Sequence, residues 1–184
     1  MISVIALGWY TGGTLFPLPS RLLRYLKRGR LPMVGQAEVE IARRLFEEGW
    51  SGGHVDAPLQ FMTEDIVMRD IVGHPEAMRG HAAVREFWQH AAPTLKVLPE
   101  DIYVAGTGVA VLWMAYVQVP QSAEENAGRW LCGEGMSRLE FDGGKVCLEV
   151  DYWHGPQGVC DDWNEHWEAR RARQWNELGT ITGA

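Results

Sequence analysis

Asp70 closes an apolar run in the segment Ile66-Val67-Met68-Arg69-Asp70-Ile71-Val72-Gly73-His74-Pro75. Side chains on a strand alternate between two faces, so Ile66, Met68 and Asp70 share one. A carboxylate among apolar neighbours is costly to keep charged. Burial of that kind raises carboxyl pKa values in general, and a carboxyl so tuned can exchange protons near neutral pH. The alternative is local: an aspartate that ends a strand and binds the amides of the turn before Gly73. A second row follows the same rule. Along residues 145–153, Cys147, Glu149, Asp151 and Trp153 share one face, and Val146, Leu148, Val150 and Tyr152 share the other. The polar row either faces solvent or a partner subunit, or brings a second acid into play.

These acids need a scaffold, and 184 residues suffice for one domain with extensions. Hydrophobic residues make up 46% and charged ones 22%, the balance of a globular protein able to bury a core. Residues 1–35 hold five basic side chains and no acids, whereas the remainder carries a net charge of −12. An acidic body argues against a nucleic-acid partner. No secretory signal pattern stands out. The three cysteines, Cys132, Cys147 and Cys160, are an odd number at wide spacings, as expected of reduced thiols in the cytoplasm. There is no CxxC, HExxH or phosphate-binding glycine loop, and the six histidines are scattered. Neither a metal nor an organic cofactor is expected. Nine tryptophans suit a wide apolar cavity or an oligomer interface.

The periodicity gives the order of elements. Residues 20–29 read as a short basic amphipathic helix, an arm that packs on the domain or a second subunit, or else touches a membrane surface. A helix is predicted over 38–48, with Ile41, Ala42, Leu45 and Phe46 as its apolar stripe. A short helix around 57–62, the Asp70 strand, a loop to Gly80 and a helix carrying Val84, Phe87, Trp88 and Ala91 follow. Strands are predicted over 101–105, 109–119, 129–141 and 145–153, joined by glycine turns at 106–108 and 142–144 and a polar loop at 120–128. A last helix spans about 162–178, with Asp162 and Glu165 at capping-box spacing and Trp163, Trp167 and Trp175 packing down. Helices first, then hairpin-linked strands, read as α+β.

Two segments go further: 67–75 leading to Gly80-His81-Ala82-Ala83-Val84-Arg85-Glu86-Phe87-Trp88, and Leu139-Glu140-Phe141-Asp142-Gly143-Gly144-Lys145-Val146 leading to Glu149-Val150-Asp151-Tyr152-Trp153-His154. With the element order, they resemble the NTF2-like superfamily, specifically its SnoaL-like and ketosteroid-isomerase-like members, over roughly residues 37–154. The resemblance implies a cone-shaped, curved antiparallel sheet packed with N-terminal helices. It divides the chain into a basic arm (1–36), the domain (37–160) and a C-terminal amphipathic helix (161–184). It also implies a homodimer. In ketosteroid isomerases the position matching Asp70 is the general base, which moves a proton between carbons beside a ketone. The positions nearest their two oxygen-binding donors are Phe46, which has none to give, and Ser137, which has a hydroxyl. Trp113 or Tyr116 could substitute. Asp151 is placed like the acid/base aspartate of SnoaL-type polyketide cyclases and like one acid of limonene-epoxide hydrolases. The Arg-x-Asp partner of those hydrolases is replaced by Leu112-Trp113-Met114-Ala115-Tyr116, which ranks epoxide hydrolysis low.

The expectation is an acid/base enzyme of isomerase, cyclase or dehydratase type, acting without cofactor on a bulky apolar carbonyl compound such as a polyketide, steroid or terpenoid. Asp70 and Asp151 would be catalytic. Phe46, Met68, Phe87, Trp88, Trp113, Tyr116, Ser137 and Trp153 would line the cavity, with His81 and His154 as reserve proton carriers. The competing expectation is an NTF2-like module that only binds a small molecule or a protein. Whether Asp70 and Asp151 share one enclosed space discriminates the two.

Overall fold

The structure, a computed structural model, describes residues 33–181. The basic helix expected at 20–29 lies outside them. Helix α1 (Gln36–Arg44) begins where the Glu38 carboxylate reaches back to the Gly35 N–H at 2.9 Å. It runs on as a wider π-helical turn over Leu45–Trp50, which buries Leu45, Phe46, Gly49 and Trp50. The short helix expected around 57–62 is a single 3-10 turn, Pro58–Phe61. Strand β1 (Met62–Asp70) then turns at 71–73 into β2 (His74–Arg79), where a loop was expected. Helix α2 (Gly80–Trp88) buries Val84 and Trp88 and stops short of Ala91. No described helix is long and apolar enough to cross a membrane.

Four long strands make the rest: β3 (Leu95–Ala105), β4 (Gly108–Gln118), β5 (Trp130–Asp142) and β6 (Lys145–Trp153). β3 starts six residues before the predicted strand because Pro99 sits at a bulge on an edge strand, where a missing N–H costs no ladder bond. A three-residue strand, β7 (Gly158–Cys160), adds to β5 and was not foreseen. The seven strands form one curved, unclosed sheet in the order β2-β1-β6-β5-β4-β3, with β7 beside β5. Every ladder is antiparallel except β1–β6, which is parallel. The fold is thus the expected α+β cone, with one ladder that the antiparallel expectation did not contain.

The two faces carry separate cores. The inner face packs against α1 and α2 around Phe46, Trp50, Met68, Trp88 and Trp113. The outer face carries Met114, Tyr116 and Cys132, covered by Trp167 of helix α3 (Trp163–Ile181). Asp162 caps α3, its Oδ1 accepting from the N–H of Asn164 at 2.8 Å and of Glu165 at 3.0 Å. Arg170 fastens the helix to the sheet through Glu100 of β3 and Glu134 of β5. Trp175 lies where side chains are not described.

Candidate active site

The parallel ladder brings the acids together. Its register pairs Asp70 with Asp151 and Met68 with Glu149. Neighbouring strands lie about 4.8 Å apart, so the two aspartates stand side by side, and Glu149 sits one step back on the same face of β6. Ser137 of β5 pairs with Asp151 from the other side. All four are buried, Asp70 at 8% exposure and Asp151 at 9%. The polar row of β6 therefore points inward. Leu148, Val150 and Tyr152 of the apolar row are turned outward, with Tyr152 42% exposed, whereas Val146 at the start of the strand is buried in the inner core.

These residues line one cavity of about 300 Å³ under α1 and α2. The π-helical turn supplies Phe46 and Trp50 to its wall, and Trp50 meets Trp88 edge to face at 4.6 Å. Among the expected lining residues, Phe46, Met68, Phe87, Trp88, Trp113, Ser137 and Trp153 are all there. Gly135, opposite Trp113 on β5, leaves room for that indole, since a Cβ would fall against its six-membered ring.

Each acid is tied to a tryptophan, Glu149 and Asp70 directly and Asp151 through Ser137. Trp50 Nε1 donates to Glu149 Oε1 at 2.9 Å, and Trp153 Nε1 to Asp70 Oδ1 at 2.9 Å. Trp113 Nε1 donates to Ser137 Oγ at 2.8 Å, and that hydroxyl donates to Asp151 Oδ1 at 2.5 Å. Asp70 Oδ1 also accepts from the backbone N–H of Val72 and Gly73, each at 2.9 Å. The turn-binding and cavity-facing roles weighed for Asp70 are thus met by one side chain.

Burial sets the charge. Desolvation pushes the Asp151 carboxyl up to about 7; the Ser137 bond opposes this, and the Asp70 carboxylate adds to it. Desolvation raises Glu149 well above the usual carboxylate range, the Asp151 charge pushes the same way, and the Trp50 bond resists. Glu149 Oε2 is buried and has no hydrogen-bond partner among the described residues. Burial thus favours the neutral form of Glu149, while the Asp151 carboxyl sits near neutrality.

Three expected site residues lie elsewhere. Tyr116 is on the outer face, fully buried, its hydroxyl 3.0 Å from His166 Nδ1. Trp113 and Tyr116 are three apart on one strand, so alternation puts them on opposite faces. His81 opens α2 and has Nε2 3.4 Å from the Met62 carbonyl, outside the cavity lining. His154 is exposed beyond the end of β6. Ser137 does reach the site, but its proton is given to Asp151 rather than to the cavity. Of the lining residues not expected, two bear on the acids, Glu149 and Trp50. Glu149 was legible as the neighbour of Asp151 two positions away, and Trp50 as one turn beyond Phe46.

A family model described as a SnoaL-like domain matches residues 42–149. A search of curated proteins found no match. Solved structures share the fold. One, described as a SnoaL-like polyketide cyclase from a Jannaschia species, is 20% identical, with a TM-score of 0.52 over 67% of this chain and 89% of its own. The epoxide hydrolase/cyclase-like enzyme SalBIII, of pyran ring formation in the polyether salinomycin, is 22% identical, with a TM-score of 0.56 over 66% of this chain and 97% of its own. A protein described as a ketosteroid isomerase from Kribbella flavida is 17% identical, with a TM-score of 0.53 over 68% of this chain and 84% of its own.

Proposed function

The chain belongs to the SnoaL-like domain family, and from that premise we propose that it is an acid/base enzyme in which Asp151 is the proton carrier. The supporting observation is the Asp151 carboxyl, buried in an apolar cavity beside Asp70 and tuned to about 7. A base is most useful when its pKa lies near the working pH. In this reading the Asp151 carboxylate takes a proton from the carbon beside a carbonyl, and the C–H electron pair moves toward the carbonyl oxygen. Glu149 meets that oxygen with its own proton after a side-chain rotation that opens Oε2 to the cavity. Asp151 then returns its proton to another carbon while the enol oxygen gives its proton back to Glu149, which is an isomerisation; or the enol attacks a second carbonyl, Asp151 protonates the new alkoxide and Glu149 recovers its proton from the re-formed ketone, which is an aldol-type closure. Burial holds Asp151 near neutrality, the Asp70 charge adds to the effect, and Ser137 aims the carboxyl. The cavity lies at the small end of the roughly 300–1,000 Å³ range of ligand sites. A compact terpenoid or short polyketide ketone fits it better than a large fused-ring compound.

The test is proton–deuterium exchange at the α-carbon of a cyclic ketone such as α-tetralone. Wild type is expected to exchange, and Asp151→Asn and Glu149→Gln to lose about 10²–10⁴-fold. Exchange undiminished in Asp151→Asn defeats the mechanism. One observation favours the second reading, a module that only binds: the indole N–H groups of Trp50, Trp113 and Trp153 are all committed to protein acceptors. Saturable ketone binding with no exchange in wild type would establish that reading instead.

A further inference from the structure

The outer face of the sheet holds a second cluster, unconnected with the cavity. Cys132 lies on β5, Cys160 ends β7, and His166 is in the first turn of α3. Their ligand atoms, two Sγ and a ring nitrogen, all lie within 4.8 Å of one another. The two thiols are hydrogen-bonded to each other. Cys132 is buried, while Cys160 and His166 are half-buried, so an ion has a way in. We propose that Cys132, Cys160 and His166 bind one zinc ion, which fastens β7 and the start of α3 to the sheet.

The donor set chooses the metal. Two thiolates and an imidazole are soft to borderline ligands that suit zinc, whereas magnesium and calcium take oxygen. Zn–S bonds of about 2.3 Å and Zn–N bonds of about 2.0–2.1 Å bring tetrahedral ligand atoms to roughly 3.4–3.8 Å apart. Side-chain rotation closes that gap from the present spacing. Three protein ligands leave the fourth position to water. With Nε2 as the ligand atom, the Tyr116 hydroxyl, 3.0 Å from Nδ1, would accept the N–H there and hold the imidazole in one orientation, as outer partners of metal ligands do. Trp130 and Trp163, their rings 6.2 Å apart, cover the cluster on its apolar side. On binding, two S–H bonds break, two Zn–S bonds form and two protons leave to solvent, with no change of oxidation state. The position explains an otherwise weak element. β7 has three residues and pairs with β5 alone, and a metal shared by both strands and the helix would hold it in place.

The experiment titrates the reduced, metal-free full-length chain with Co²⁺ and then with Zn²⁺. One Co²⁺ per chain is expected, with the near-ultraviolet thiolate charge-transfer band and the visible bands of a tetrahedral site, all abolished by one equivalent of Zn²⁺. Cys132→Ser, Cys160→Ser and His166→Ala should each abolish the spectrum or weaken binding by well over tenfold. Tyr116→Phe should weaken it about tenfold, and Cys147→Ala should leave it unchanged. Zinc should raise the thermal midpoint of wild type and not of the ligand variants. A folded, fully reduced wild type with no cobalt spectrum overturns the proposal, as does a spectrum that survives Cys132→Ser together with Cys160→Ser. A Cys132–Cys160 disulfide formed in air, with no cobalt spectrum after its reduction, also overturns it and makes the cluster a redox pair.

Discussion

Asp151→Asn separates the cost of burying a charge from everything else in the site. The asparagine has nearly the same shape and can still accept from Ser137, but it has no proton to lose. In wild type the folded-state value is about 7, against an ordinary carboxyl value of 3.8. Between those values the folded chain keeps a proton that the unfolded chain has lost, so stability falls as pH rises. Asp151's contribution is complete below about pH 4, declines through the window and is gone above about pH 7. About three units at 1.36 kcal/mol each amount to about 4 kcal/mol, a large share of the roughly 5–15 kcal/mol that stabilises a domain. The assay is urea unfolding followed by tryptophan fluorescence at pH 4, 5, 6, 7 and 8 in both proteins. Most other titrations cancel in the difference, and the variant should gain about 4 kcal/mol on wild type between pH 4 and pH 8. Glu149 carries a shift of the same sign, and part of it comes from the Asp151 charge, so its loss from the variant adds to the difference. A difference that is flat with pH, or in which wild type gains on the variant, refutes the account of a buried, proton-retaining Asp151.

Two further outcomes follow from the same contacts. Ser137→Ala removes a donor that favours the Asp151 carboxylate, and a hydrogen bond to a charged group contributes about 1.5–3 kcal/mol; the Asp151 midpoint, read by carbon NMR of the labelled carboxyl, should rise by about one to two units, and an unmoved or lower midpoint counts against the bond. Gly135→Ala puts a methyl against the Trp113 ring, which should destabilise the fold by about 1–3 kcal/mol and disturb Asp151 through Ser137; thermal melts showing wild-type stability would mean that Trp113 does not lie where described.

The architecture was legible where local chemistry and burial agree. The 142–144 glycine turn, the long strands β4 to β6 and the α2 stripe of Val84 and Trp88 follow from turn residues and period alone. Failures occurred where long-range pairing decides. Residues 74–79 look like loop because Pro75 and the surrounding polar residues are poor strand formers, yet β1 offers an edge, and pairing with it makes β2. β7 is too short to carry a pattern and exists because β5 extends past β6 to receive it. The parallel β1–β6 ladder has no local signature at all, and it is the contact that unites Asp70 with Asp151.

That ladder also explains why the site was only half visible. Alternation placed each acid on a face of its own strand, but it cannot say which face is inside. For β6 the pattern left open whether Glu149 and Asp151 or the apolar set Leu148, Val150 and Tyr152 would be enclosed. The structure turns the apolar set outward and encloses Glu149 and Asp151. Hydrophobicity alone opposes that choice, so something must make the acids tolerable within. The indole N–H groups do this: Trp50 and Trp153 bind Glu149 and Asp70 directly, and Trp113 reaches Asp151 through Ser137. A tryptophan buries a large apolar area and still brings one donor. It can therefore line an apolar cavity and bind an acid at its edge at once. The abundance of tryptophan, which in the sequence suggested a cavity or an interface, acquires a third meaning. On this account, replacing Trp50 or Trp153 by Phe preserves the apolar wall but deprives its acid of the donor, replacing Trp113 by Phe deprives Ser137 of the N–H it accepts, and the loss is electrostatic rather than one of packing.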